Sequence, residues 1–241
     1  GAPQRYWEPT SHFRGADESL DEPEAGARLW GLLGDAVRSH LVSDVPVGAF
    51  LSGGVDSSAV VGLMAREAGV PVKTFSVGFR EAGFDEAPYA RRVAEWFGTE
   101  HHELIATPQD LGLLEEVLAA CDEPFADASA IPTYLVSRLA RQHVKVVLSG
   151  DGGDELFAGY DRYVVDRRER RLGIFGDLGL GAPLRLVSDA LPEGARGKNF
   201  LRHFSLPRME RYLDAIALFP DRALRDLLEP GPHDREPLPD E

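Results

Sequence analysis

The sequence predicts an α/β fold, a parallel sheet with helices on both faces followed by a smaller helical region. Three observations predict it. Between residues 45 and 148, short apolar runs alternate with longer helical patterns, the order produced when parallel strands are joined by crossover helices. The first run, Val45 to Leu51, is apolar almost without interruption, as befits a strand covered on both faces. Two Gly-rich turns, Leu51-Ser52-Gly53-Gly54-Val55-Asp56-Ser57-Ser58 and Leu148-Ser149-Gly150-Asp151-Gly152-Gly153-Asp154-Glu155, each follow such a run and precede a helical pattern. That puts both at strand carboxyl ends, where parallel sheets bind their ligands.

In chain order, residues 1–23 carry Pro3, Pro9 and Pro23 among polar residues and read as a linker arm anchored by Tyr6 and Trp7. From Glu24 to Ser43, Leu29, Leu33, Val37 and Leu41 recur at helical spacing, with Leu32 and Ala36 widening the stripe. Val45–Leu51 is the first strand. A helix over 57–68 turns Ala59, Val60, Leu63 and Met64 inward and closes at Gly69. Val72–Phe79 is the second strand, with Lys73, Phe75 and Val77 on one face and Thr74 and Ser76 on the other. Asp85 and Gly98 bracket a helix from Glu86 to Phe97, whose inward face is expected to be Tyr89, Val93, Trp96 and Phe97.

Thr99–Ala106 supplies the third strand, and Thr107-Pro108 opens a helix through Cys121. Ala130–Gln142 forms the next helix, with Pro132 in its first turn, and Val144–Leu148 the fourth strand. Beyond Asp154 the pattern is helical and Arg-rich to Arg171, Gly-rich over 173–181, and helical again over 201–228. The expected organisation is a linker arm over 1–23, an α/β domain over 24–171, a truncated helical extension over 172–228, and a disordered tail over 229–241 with Pro230, Pro232, Pro237 and Pro239 among charges.

Composition narrows the function. The formal charge of −14 opposes nucleic acid, since phosphates would be repelled and no basic block compensates. Cys121 is the single cysteine, so an internal disulfide is impossible and a reducing cytoplasm is the expected setting. No apolar run reaches bilayer-spanning length, so no membrane partner is expected.

The first Gly-rich turn has the chemistry of an anion cradle. Gly53 and Gly54 are expected to let a ligand approach the backbone, and Ser52, Ser57 and Ser58 surround it with hydroxyls. The helix that follows aims unpaired N–H groups and roughly half a positive charge at the same place. No lysine stands within ten residues of Gly54, which rules out the G-x-x-x-x-G-K-[ST] phosphate loop. The second turn adds carboxylates, and Asp56 with Asp154 are the hard oxygen donors that Mg²⁺ takes beside a phosphate chain. A plain turn explains either stretch alone, because Gly, Asp and Ser favour turns. It explains the pair less well.

The stretch S-G-G-V-D-S-S resembles the pyrophosphate loop of the ATP pyrophosphatases. Taken with Tyr6-Trp7, D-V-P-V-G-A-F-L in front of it, T-F-S-V-G-F, D-E-P-F-A-D-A-S-A-I-P-T-Y and L-S-G-D-G-G-D-E-L-F-A-G-Y, it resembles the synthetase half of glutamine-hydrolysing asparagine synthetase. That resemblance implies an adenine nucleotide alpha hydrolase-like fold. It also implies activation of aspartate by ATP as β-aspartyl-AMP, release of pyrophosphate, and displacement of AMP by ammonia drawn from glutamine.

Carried over by position, the resemblance implies that Ser52, Gly53, Gly54, Ser57 and Ser58 hold pyrophosphate. Asp56 and Asp154 would hold Mg²⁺, and Leu51, Val77, Ser149 and Gly150 would surround the adenosine. Asp151 matches an acidic position needed for adenylate formation, where many relatives carry Glu. The implied partners are aspartate, ammonia and a glutaminase domain of the same full-length chain, and a homodimer is among the assemblies allowed.

Three departures bear on the substrate. Ala128 stands where some relatives have an arginine suited to a substrate carboxylate. A later lysine, expected to stabilise charge on the α-phosphate, has no match, because Lys198 has a different context. No amino-terminal nucleophilic cysteine is present for a glutaminase half. The stretch therefore reads as a piece of a longer enzyme, expected to be inactive alone.

His101-His102 invites a metal reading, but neighbouring strand residues face opposite ways and would not share one ion. Arg167, Arg168, Arg170 and Arg171 read as a solvated helix face. A β-lactam synthetase-like or surface-polymer amidotransferase, or a non-catalytic nucleotide-binding module, would carry the same ATP motifs.

Overall fold

The structure is a computed structural model that describes residues 4–8, 19–81, 83, 85–121, 127–172, 181–192 and 195–217, the side chains of 170–172 excepted. The expected disordered tail, the Gly-rich 173–180, the stretch 122–126 and the end of the last predicted helix, 218–228, lie outside the described residues. The chain divides into two compact units, Gly1–Asp151 and Gly152–Glu241.

In the first unit the order is α1 (Glu22–His40), β1 (Val47–Phe50), α2 (Val55–Glu67), β2 (Lys73–Phe79), α3 (Ala87–Phe97) and β3 (Glu100–Ala106). A 3₁₀ turn (Pro108–Leu113), α4 (Leu114–Ala120), α5 (Ala130–Ala140) and β4 (Val146–Leu148) complete it. The described strands are all parallel, in the order β3-β2-β1-β4. Chain order runs outward from β1 to β3 and then returns to the other side of β1. The sheet thus has its topological switch between β1 and β4, where open α/β sheets form their ligand crevice.

Two apolar clusters confirm cover on both faces. Val47, Ala49, Leu51, Val72 and Leu148 pack with Val37 of α1, Val61, Leu63 and Met64 of α2, and Ala90 and Ala94 of α3. On the other face Phe50, Phe75 and Val147 pack with Val136, Leu139 and Ala140 of α5 and with Val144. The period of two divides β1 between these clusters, and both faces of β2 are closed, Phe75 and Thr74 each being fully buried. Thr74 and Ser76 satisfy their buried hydroxyls through His101, at 2.9 Å to Nδ1 and 3.2 Å to Nε2.

Local chemistry sets the helix ends. Asp21 Oδ1 accepts the Glu24 amide at 2.9 Å and Pro23 stands in the first turn, so α1 begins within the stretch read as an arm. Arg38 ties it to α2 through Glu67 at 3.0 Å. Leu32 is exposed, because α1 buries only the narrower strip around Gly34 and Val37.

The inward face of α3 differs from expectation. Ala87, Ala90 and Ala94 are buried, whereas Tyr89 and Trp96 are 60% and 84% exposed. Small residues face in because this helix meets backbone: a Cβ at Gly53 would stand 2.5 Å from the Ala90 amide nitrogen. No large side chain fits there.

The single helix expected from Thr107 to Cys121 is broken into the 3₁₀ turn and α4. Thr107 and Asp110 form a reciprocal capping box, Asp110 accepting the Thr107 amide at 2.7 Å. Cys121 ends α4 rather than lying within it.

The second unit contains α6 (Gly153–Phe157), α7 (Asp161–Leu172), α8 (Gly181–Ala190), α9 (Lys198–Ser205) and α10 (Arg208–Ile216). Helix α8, which the sequence pattern leaves unassigned, packs on α9. Ser188 Oγ donates to the Lys198 carbonyl at 3.2 Å, and Lys198 Nζ donates to Leu191 O at 2.9 Å. Lys198 is therefore a buried structural lysine. Among the described residues no helix is long and apolar enough to cross a membrane.

Candidate active site

The crevice between β1 and β4 is built by backbone before side chains. Leu51, just after β1, has its amide on Phe75 O at 2.9 Å and its side chain packed in the core, so the chain turns at Ser52. Gly53 takes φ +85°, a left-handed value that suits glycine. Its missing Cβ makes room for α3. The sequence predicts that this space admits a ligand; in the structure Tyr89 and Ala90 fill it, so Gly53 can meet a ligand only through its backbone.

Three groups lock the loop. Ser52 Oγ accepts the Gly54 amide at 3.2 Å and lies 2.9 Å from Ser57 Oγ, and Ser57 Oγ donates to Gly54 O at 3.3 Å. Ser57 is buried, whereas Ser52 remains exposed. Helix α2 begins at Gly54 without a side-chain cap. The amides of its first turn thus carry the positive end of the dipole with no carboxylate or hydroxyl of the cap position bound to them.

From the β4 side the turn Ser149-Gly150-Asp151 closes on the same helix end. A Cβ on Gly150 would stand 2.8 Å from the Ser57 amide nitrogen and 3.1 Å from Asp56 Cβ. Ser149 Oγ donates to Asp151 Oδ2 at 2.8 Å, which orients an otherwise exposed carboxylate. The structure therefore brings Ser52, Gly53, Gly54, Asp56, Ser57, Ser149, Gly150 and Asp151 together around one helix start. Val77 stands on β2, the strand beside β1, near its carboxyl end. What the sequence reading missed is the role of Gly150 as the seat of α2, signalled only by a glycine at a strand end.

Ser58 behaves differently from its neighbour. Its Oγ is buried without a partner. The residue lines an open groove of about 760 Å³ beside α2, floored by Gly53, Val55 and Gly62 and walled by Trp30, Trp96 and Phe97. That groove adjoins the crevice at Gly53 and the amino end of α2.

Asp154 lies in the second unit, on the short helix α6 that starts at Gly152 with φ +91°. Its carbonyl accepts the Gly159 amide at 3.0 Å, and a side chain at Gly159 would collide with the Asp154 carboxylate. Beside it the Tyr160 hydroxyl donates to Glu155 at 2.7 Å, holding the Glu155 carboxyl below its usual range and raising Tyr160. Arg162 covers the Tyr160 ring at 4.2 Å.

The motifs at this crevice have counterparts in known proteins. The family model described as asparagine synthase matches residues 28–239. Asparagine synthetase [glutamine-hydrolyzing] 1 of Bacillus subtilis is 40% identical over 198 residues, covering 81% of this chain and 31% of that protein. A putative asparagine synthetase [glutamine-hydrolyzing] of Mycobacterium bovis is 42% identical over 208 residues, covering 84% and 31%. The chain thus spans about a third of the length of these curated relatives. Among solved structures, an NH3-dependent NAD synthetase from Campylobacter jejuni aligns at TM-score 0.40 and 18% identity, over 56% of this chain and 60% of that one. The family match runs through both Gly-rich turns and the strands that carry them, and the chain belongs to the asparagine synthase family.

Proposed function

We propose that this chain is the ATP-using part of a glutamine-dependent asparagine synthetase, a ligase of asparagine biosynthesis that adenylates aspartate and passes the adenylate to ammonia. The observation that carries the reading is the uncapped start of α2, seated by Gly150 in the crevice between β1 and β4. A pyrophosphate group fits such a place, because the first-turn amides donate to anionic oxygens and the adjoining glycines add no side chain in front of them.

Each residue has a task in this reading. Ser52, Gly53, Gly54, Ser57 and Ser58 hold the pyrophosphate portion of ATP, with Ser52 the exposed hydroxyl and Ser57 the buried strut that keeps the loop closed. Ser58 has an unused donor in its buried hydroxyl. Leu51 contributes backbone rather than side chain to the adenosine pocket, together with Val77, Ser149 and Gly150. Asp151, fixed by Ser149, acts at the acceptor end of the reaction. Asp56 in the first unit and Asp154 in the second supply carboxylates of the kind that hold Mg²⁺. When bound, Mg²⁺ neutralises charge on the phosphates.

Aspartate, ammonia and a glutaminase domain in the longer protein are the remaining parts of the proposal, with the cytoplasm as its setting. The 241 residues then account for nucleotide binding, and turnover belongs to the full-length enzyme. Calorimetry with ATP tests the first half. Binding is expected with Mg²⁺ and weakened at least about tenfold without it, while Gly54→Ala and Gly150→Ala lower it at constant Mg²⁺. ATP affinity indifferent to Mg²⁺ and to both substitutions would sink the assignment. In full-length protein, aspartate-dependent pyrophosphate exchange tests the second half, and exchange with another carboxylic acid in place of aspartate would redirect it to a related adenylating amidotransferase.

A further inference from the structure

A second group of ligating side chains lies toward the amino end of the strands, away from the phosphate crevice. Glu100 and His102 are two residues apart on β3 and therefore share a face. His101 between them turns to the other face and is used by Thr74 and Ser76. Helix α5 packs across β2 and β3, and its carboxyl end delivers His143 to the face that carries Glu100 and His102. His102 Nε2 lies 3.0 Å from Glu100 Oε1. The imidazoles of His102 and His143 stack with centroids 3.9 Å apart and planes 28° from parallel, beside the fully buried Phe75. One ligand atom from each of Glu100, His102 and His143 falls within 4.8 Å of the other two.

We propose that Glu100, His102 and His143 form a binding site for a divalent transition-metal ion, Zn²⁺ foremost, with water completing the coordination. The donor set decides the class of ion. Two imidazole nitrogens and one carboxylate suit zinc and its neighbours, whereas Mg²⁺ and Ca²⁺ take oxygen. The site is also reachable, since Glu100 is exposed and both histidines are half-buried. Phe75 makes a dry floor behind the imidazoles.

The groups around Glu100 show what binding changes. Lys73 Nζ stands 3.2 Å from the same Glu100 Oε1 that His102 meets, so a cation already sits at the carboxylate. A metal ion replaces that ammonium as the counter-charge. Two imidazoles on one ion point their nitrogens at it and open into a wedge, so the stacked rings must splay. His143 lies in the connection between α5 and β4 and not on a strand, so no strand pairing opposes that turn. The ion then ties the α5–β4 connection to β3, two segments far apart in sequence, and binding to the folded chain alone adds stability.

The test uses the tag-free 241-residue chain after chelator treatment, titrated with ZnCl₂ by calorimetry and followed by thermal unfolding. One Zn²⁺ per chain and a rise in Tm are expected, and Co²⁺ in its place should give the visible bands of a tetrahedral centre. Loss of an outer partner alone commonly costs 10–100-fold, so His143→Gln should weaken Zn²⁺ at least about tenfold. His102→Gln/His143→Gln should abolish the binding and the Tm rise. His40→Gln, at an exposed histidine outside the cluster, should change neither. Circular dichroism verifies folding of each variant, and if the double variant unfolds, His143→Gln and the Co²⁺ spectrum of the parent decide. No Zn²⁺ binding by the parent, no tetrahedral Co²⁺ bands, or undiminished binding by His143→Gln would overturn the proposal.

Discussion

Gly150 and Ser57 meet where β4 ends and α2 begins, so closely that a Cβ on Gly150 would stand 2.8 Å from the Ser57 amide nitrogen. Two segments more than ninety residues apart thus share one backbone contact. The atom struck is backbone in the first turn of a helix, which cannot swing aside as a side chain would. The close seat of α2 against the turn after β4 requires a position without a side chain.

Gly150→Ala should therefore displace the start of α2. The expected cost is about 1–3 kcal/mol, the range for overpacking, with ATP affinity down at least about tenfold. Gly54→Ala should be milder for the fold, since its Cβ would meet only Ser52 Oγ at 3.2 Å. Urea unfolding and ATP calorimetry on both variants check the order, and equal stability loss in the two would contradict it.

Two acids of the second turn should fail in different ways. On the proposed roles, Asp154→Asn weakens Mg·ATP binding, whereas Asp151→Asn leaves that binding nearly intact and slows aspartate-dependent pyrophosphate exchange in full-length protein supplied with ammonia. Asp56→Ala should resemble Asp154→Asn. Binding and exchange measured side by side separate the two groups, and matching losses of ATP affinity in Asp151→Asn and Asp154→Asn would refute the division.

Acid should loosen the cap at Thr107. Its amide and hydroxyl donate to Asp110 at 2.7 and 2.9 Å and hold that carboxyl below its usual range. In the window below the ordinary Asp value of about 3.9, the unfolded chain binds more protons than the folded one. The contribution is complete above that value and is lost as pH falls through the lower folded value. Asp110→Asn should melt below the parent at neutral pH, and the gap should narrow as pH drops below about 4. Melting curves at pH 7 and pH 3.5 show this directly.

Ala158 is, among the described residues, the non-glycine with positive φ, at 57°. A side chain there costs about 1–2 kcal/mol, partly offset for glycine by its larger loss of freedom on folding. Ala158→Gly should stabilise the second unit by up to about 1 kcal/mol, and Ala158→Val should destabilise it. Thermal melts of both check the sign.

The alternation of strands and helices, the positions of both Gly-rich turns and their place at strand ends are visible in residue order, because periodicity and turn chemistry are local properties. Family membership was legible for the same reason, being written in contiguous motifs. Which face of α3 turns inward was not. Tyr89 and Trp96 are the larger apolar residues, yet Ala90 wins the interior because its backbone meets Gly53, a contact 37 residues away. Local hydrophobicity cannot rank a small residue above a large one without knowing how much room the partner leaves. Residue order likewise gives no sign that the missing Cβ of Gly53 makes room for α3. The histidines make the same point: order along β3 rightly separates His101 from His102, but only the packing of α5 across the sheet could bring His143 to within reach of Glu100 and His102. Residue order carried the strands, most of the helices and the chemistry of each loop, though neither α8 nor the break between the 3₁₀ turn and α4; the tertiary structure decided which of those groups meet, because meeting depends on close approaches between backbones that are distant in the chain.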